Sequence, residues 1–219
     1  DIGTTKVACV IGVRAPEGIN IVGVGVAPNQ GMRQGTVVNI ETTVEAIKKA
    51  REEAELMSGF SLESVWLGIG GTHIESFDSS GMVAIFNKEV SEEDIHRVIE
   101  AAKAVAIPID RQVLHVLPQD YKIDGQEGIS DPIGMSGVRL ETSVHIISAN
   151  AAAVQNAVKC TEKAGLQVKG FVLQQLASAL SVMSEDEKDL GCCVVDVGGG
   201  TCDMITFAQG SVVHTAVIP

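Results

Sequence analysis

Three consecutive glycines bracketed by acids constrain this chain more than any other stretch. The run Asp196-Val197-Gly198-Gly199-Gly200-Thr201-Cys202-Asp203 lies between two apolar, strand-like segments, residues 192–197 and 201–208, and residues 211–218 read as a third strand. Glycine lets a backbone approach a ligand without a Cβ in the way and take φ > 0. Successive N–H groups can then converge on an anion such as a phosphate. An Asp at the strand end is placed to hold Mg²⁺ through water, because Mg²⁺ dehydrates reluctantly. An ordinary hairpin turn needs no triple glycine set between Asp and Thr-x-Asp.

Asp1-Ile2-Gly3-Thr4-Thr5-Lys6 repeats the logic at the start of the chain, running into the strand-like residues 7–12. It supplies an Asp, small residues with hydroxyl and N–H donors, and a lysine charge for a phosphate. Two Asp-x-Gly turns far apart in sequence are what a duplicated phosphate clamp requires. Other phosphate motifs fail: no GxxxxGK[ST] is present, and Gly23-Val24-Gly25-Val26 lacks the third glycine of a dinucleotide turn.

The remaining pattern is α/β. Strands are predicted over 6–13 and 19–26 around Ala15-Pro16-Glu17-Gly18. A helix follows from Ile40 to Met57, closed by Gly59, and then a strand over 64–69. Gly68-Ile69-Gly70-Gly71 reads as a domain junction. Residues 70–148 form a distinct small α+β block: short strands over 72–77 and 82–86, then a helix that Ser91 caps. That helix has a buried stripe of Ile95, Val98, Ile99, Ala102 and Val105. A strand over 111–121, a loop over 124–137 and a strand over 138–147 complete the block. The α/β pattern then resumes with a helix from Asn150 to Ala164, a strand over 168–173, a helix over 174–183 and a charged turn over 184–189.

Net charge −12 opposes a phosphate backbone and no basic cluster offsets it, so nucleic acid is excluded as a partner. The five cysteines, with no CxxC pair, read as reduced and buried thiols rather than a disulfide frame or zinc site. The five histidines lack metal-ligand spacing, Ser178 and Ser181 have no His/Asp partners in sequence, and Trp66 reads as core. No uncharged apolar run reaches the roughly 18 residues of a spanning helix. The chain begins at Asp1 and ends at Pro219 after a strand-like run; both ends read as cut.

The paired motifs resemble the actin, Hsp70 and sugar-kinase superfamily. Asp1-Ile2-Gly3-Thr4 is similar to its first phosphate motif, and Asp196 to Asp203 to its second. Within it, VLHVLPQDYKIDGQEGISDPIGMSGVRLE (113–141), LASALSVMSEDEKDLGCCVVDVGGGTCD (176–203) and GSVVHTAVIP (210–219) resemble the FtsA family of actin-like bacterial division proteins. The resemblance implies an actin-like, ribonuclease-H-like α/β fold. Residues 1–69 and 149–189 would form subdomain 1A, 70–148 an inserted subdomain 1C, and 190–219 the start of subdomain 2A. A strand ahead of Asp1, the rest of 2A, subdomain 2B and a C-terminal amphipathic helix would lie outside this sequence.

By the same resemblance, Gly3, Thr4, Thr5 and Lys6 contact ATP phosphates opposite Gly198, Gly199, Gly200 and Thr201. Asp1 and Asp196 lie near Mg²⁺, with contacts through water. Gln174 or Gln175 is the candidate for placing the attacking water. The implied role is an ATP-binding protein that links FtsZ filaments to the inner membrane at the septum, polymerises and recruits later division proteins. Its partners would be FtsZ and the membrane, through parts outside this sequence, other FtsA protomers, and later division proteins through 1C. With no clear carboxylate base, hydrolysis is expected to be slow or absent. The competing expectation is another ATPase of the superfamily, a sugar kinase or Hsp70-like chaperone.

Overall fold

The computed structural model describes residues 1–105 and 107–219. Strands β1 (Lys6–Ala15) and β2 (Gly18–Pro28) form an antiparallel hairpin whose register runs from Lys6 opposite Pro28 to Ala15 opposite Gly18. The short pair β3 (Met32–Arg33) and β4 (Thr36–Val37) leads into helix α1 (Ile40–Ser58). Asn39 caps α1 by accepting from Thr42 N at 3.0 Å, and Gly59 ends it at φ 74°. The buried stripe Val44, Ala46, Ile47, Ala50 and Ala54 lies on the hairpin. At Gly23 and Gly25 of β2 the α1 backbone comes so close that a Cβ would meet Ala54 O and Ala50 O.

Strand β5 (Ser64–Ile69) comes next, and after it β6 (Ile74–Ala84), α2 (Glu92–Lys103), β7 (Arg111–Ile123), β8 (Gln126–Ile129) and β9 (Arg139–Asn150). β6, β9, β7 and β8 make a four-stranded antiparallel sheet in that order. α2 starts in a full capping box between Ser91 and Asp94 and covers one face of the sheet. Gly81 lets the sheet meet α2, since a Cβ there would strike Val98 O. Ile147, on the other face, joins the main core.

Helix α3 (Ala151–Lys163), capped by Asn150, leads to β10 (Gln167–Leu173), which pairs with β5 in parallel. Helices α4 (Gln174–Val182) and α5 (Glu185–Leu190) precede the antiparallel sheet β11 (Cys192–Val197), β12 (Cys202–Ala208) and β13 (Ser211–Ile218). One core cluster runs from Val7, Ile47, Ile69 and Leu173 to Ile147, Ile205 and Val212. β13 is also held to the four-stranded sheet by side chains. Gln119 Nε2 donates to Val212 O at 3.1 Å, Ser211 Oγ to Gln119 O at 2.7 Å, and Ser76 Oγ to Thr215 O at 3.3 Å. Buried His145 lies 3.1 Å from Thr215 Oγ1 through Nε2, and 2.7 Å from Asp78 through Nδ1.

Several expectations are corrected. The two short strands over 72–77 and 82–86 are one strand, β6, because β9 offers it an unbroken ladder from Ile74 to Ala84. The loop over 124–137 contains β8, which extends the sheet edge. Val105 lies beyond the end of α2 and is exposed. The charged turn over 184–189 is helix α5, because Ser184 and Glu187 form a second capping box. Trp66 is 68 % exposed, its ring lying over Gly170 of β10, which has no side chain to cover it. Of the cysteines only Cys160 is buried, and Cys193 is exposed on an edge strand. A cavity of about 350 Å³ separates β1 from β5, which belong to different sheets. Among the described residues, no helix is long and apolar enough to cross a membrane.

Candidate functional site

Both glycine motifs fold as two-residue hairpin connections of the same kind. Gly3 N donates to Lys6 O at 2.9 Å, leaving Thr4-Thr5 at the tip. Gly198 N donates to Thr201 O at 2.9 Å, leaving Gly199-Gly200 at the tip. The tips face each other: a Cβ on Gly199 would run into the Thr5 side chain, and one on Gly200 would meet Thr4 Oγ1 at 2.7 Å. None of the three glycines takes the left-handed φ expected from the sequence. At Gly199 and Gly200 the opposing Thr5 and Thr4 leave no room for a side chain.

Buried Asn29 fixes the first loop. Its Nδ2 donates to Gly3 O at 2.9 Å, its backbone N donates to Thr5 O at 2.9 Å, and its Oδ1 accepts from Gly31 N at 2.9 Å. Nothing in the sequence singled out Asn29, because its role depends on β2 returning beside Gly3.

The loops line one cavity of about 560 Å³, with Asp1, Gly3, Thr4, Thr5, Lys6, Gln174, Asp196, Gly198, Gly199 and Thr201 on its wall. Gly200 touches Thr4 at the tip contact. The two aspartates, 195 residues apart in the chain (196 − 1), therefore face the same space.

Helix α4 supplies the third wall. Gln174 Nε2 donates to Asp1 Oδ1, and Ser178 Oγ donates to Asp196 Oδ2 at 2.7 Å. The sequence left Ser178 without a partner; the tertiary fold provides one. Gln174 lies along Gly68 and Gly70, where a Cβ on Gly70 would collide with its amide. These glycines, read as part of a domain junction, form the slot for that side chain. Gln175, the other candidate, is fully buried with both amide atoms unpartnered among the described residues.

Asp203 is a further acidic group on this wall that the sequence reading left without a role. It pairs across the ladder with Asp196, is 5 % exposed, and accepts from Thr201 Oγ1 at 3.1 Å through Oδ2. Its Oδ1 is buried without a partner among the described residues. Burial, opposed by the Thr201 hydrogen bond and reinforced by the Asp196 charge, holds its carboxyl above the ordinary aspartate range.

The start of α4 rests on His115, whose Nε2 accepts from Leu173 N at 2.9 Å. Burial holds the imidazole pKa below its ordinary 6.5, so the neutral ring is favoured. Unfolded chain binds this proton more readily. The stability is therefore present above pH 6.5 and is lost as pH falls through the window beneath it. We expect wild-type protein to lose about 1 kcal/mol more than His115→Gln between pH 7.5 and 5.5, measured by urea unfolding. Parallel pH profiles would contradict this.

A family model described as the SHS2 domain inserted in FtsA matches residues 71–148. Proteins named cell division protein FtsA align over the whole chain, at 52 % identity in Pseudomonas aeruginosa, 44 % in Escherichia coli and 38 % in Bacillus subtilis. The chain covers 53, 52 and 50 % of these relatives, so it spans about half their length. Among solved structures, the PilM-PilN type IV pilus biogenesis complex matches at TM-score 0.67 and 14 % identity, over 99 % of this chain and 59 % of that one. Ethanolamine utilization protein EutJ from Carboxydothermus hydrogenoformans matches at TM-score 0.54 and 14 % identity, over 100 % of this chain and 49 % of that one. These likenesses bear on the fold, which is actin-like α/β with an inserted small subdomain. With identities of 38–52 % over the whole of this chain, it belongs to the FtsA family of actin-like cell division proteins.

Proposed function

We propose that this chain is the nucleotide-binding half of an ATP-dependent division adaptor. The observation that carries the reading is the meeting of two Asp-led hairpin tips on one cavity. The donor set fits a magnesium polyphosphate. It offers two carboxylates for a hydrated hard cation, threonine hydroxyls and backbone N–H groups for phosphate oxygens, and the Lys6 ammonium. Gly3, Thr4, Thr5 and Lys6 would hold one side of the phosphates, Gly198, Gly199, Gly200 and Thr201 the other, and Asp1 and Asp196 the Mg²⁺. Bound ATP would supply the negative charge that these donors face.

Gln174 is engaged by Asp1, which supports slow hydrolysis and a role for ATP as a conformational ligand. In the whole protein, residues 1–69 and 149–189 act as subdomain 1A, 70–148 as 1C and 190–219 as the opening of 2A. We assign 1C to contacts with neighbouring protomers and later division proteins. FtsZ and the inner membrane at the septum are engaged by the part of the protein outside this sequence, the membrane through a C-terminal amphipathic helix.

Co-sedimentation with anionic liposomes tests this assignment. Full-length protein is expected to pellet with liposomes when Mg-ATP is present and to stay in the supernatant without it. A form lacking the C-terminal helix should stay in the supernatant throughout. Liposome binding by residues 1–219 alone would overturn the assignment of membrane contact.

A further inference from the structure

We infer that helix α4 is a two-point gauge for the clamp, with Gln174 and Ser178 as positioning residues for Asp1 and Asp196. This rests on the nucleotide reading above and assigns the group that sets the spacing between its two carboxylates. Asp1 leads into the β1–β2 hairpin and Asp196 lies on β11, and no ladder among the described residues joins those two sheets. Gln174 and Ser178 stand at i and i+4, so they share one face of α4, one turn apart. Each takes one oxygen of one carboxylate.

The helix is held firmly enough to act as a reference. Its opposite face, with Gln175, Leu176 and Ala179, is buried, and Leu176 and Ala179 belong to the main core. Its first turn is tied to β7 by the Leu173–His115 hydrogen bond. A helical serine commonly returns its hydroxyl to the i−4 carbonyl. Ser178 instead donates across the cavity to Asp196 at 2.7 Å, a length typical of a hydroxyl on a carboxylate. The carboxylates are thereby oriented before a ligand arrives, which reduces the ordering cost of binding a hydrated cation.

The test is equilibrium binding of ATP to full-length protein, with Mg²⁺ and with EDTA, for wild type, Ser178→Ala, Ser178→Thr and Gln174→Ala. Ser178→Ala and Gln174→Ala are each expected to weaken binding about tenfold with Mg²⁺ and less than about twofold in EDTA. Ser178→Thr keeps the hydroxyl and should lie within about threefold of wild type. Equal losses under both conditions, or no loss with Mg²⁺, overturn the gauge. A wild type that binds no ATP under either condition overturns the nucleotide reading instead. The gauge is then judged on amide exchange of residues 197–203 in ligand-free protein, where faster exchange in Ser178→Ala supports it and unchanged exchange overturns it.

Discussion

Full-length protein carrying Asp196→Ala is expected to lose Mg-ATP binding by about a hundredfold or more while melting no earlier than wild type. The two halves of this expectation have separate causes. Asp196 faces the cavity, and its carboxylate is one of the two we assign to the cation. Removing a charge from a site built around a divalent ion takes away electrostatic attraction that solvent does not replace. Folding, by contrast, gains from the change. Asp196 sits directly across the ladder from buried Asp203 and helps push its carboxyl pKa upward. Alanine relieves that repulsion and sacrifices one hydrogen bond, from Ser178. Calorimetric titration with Mg-ATP and a thermal melt give the two readouts. Affinity within about threefold of wild type would remove Asp196 from the site.

Gly25→Val should be among the most damaging single changes in this half of the protein. Its added atoms would occupy the position of the α1 backbone at Ala50 O and Ala54 N, and a backbone cannot rotate away as a side chain can. α1 would have to lift from the hairpin, exposing Val44, Ile47 and Ala50. We expect a loss of about 3 kcal/mol or more, seen as a fall in melting temperature of roughly 10 °C. Gly59→Ala is the contrast. Nothing lies within 4 Å of a Cβ there, so its cost is the φ of 74° alone, about 1 kcal/mol. Equal losses at the two positions would mean that close packing of β2 on α1 does not govern stability.

Much of the fold was legible along the chain. Helices α2 and α3 announce themselves through a polar cap, α1 and α2 through an apolar stripe at helical spacing, and α1 and α3 through a glycine near the end. The hairpin β1–β2 follows from alternation around a turn. What failed had one origin: a local pattern was read without its neighbours. Residues 72–86 contain Ser79, Ser80 and Gly81 and look broken in the middle. β9 pairs through them, and at Gly81 the α2 backbone comes close enough to exclude a side chain. Trp66 is apolar in a strand, but how far a strand residue is covered depends on packing, and its ring lies over the bare backbone of Gly170 with most of its surface exposed.

The site divides in the same way. Chemistry written in a short stretch could be read directly: two Asp-led glycine turns, their donors and their acidic ends. The sequence by itself determined that two Asp-led glycine loops exist and which residues form them. Only the tertiary structure decided that their tips touch, that Asn29 braces one of them, and that Gln174 and Ser178 each hold one aspartate from a single helix face. Those contacts join residues from 18 to 196 positions apart. No periodicity or propensity encodes such pairs, because they form only after separate sheets and a helix have packed on one core.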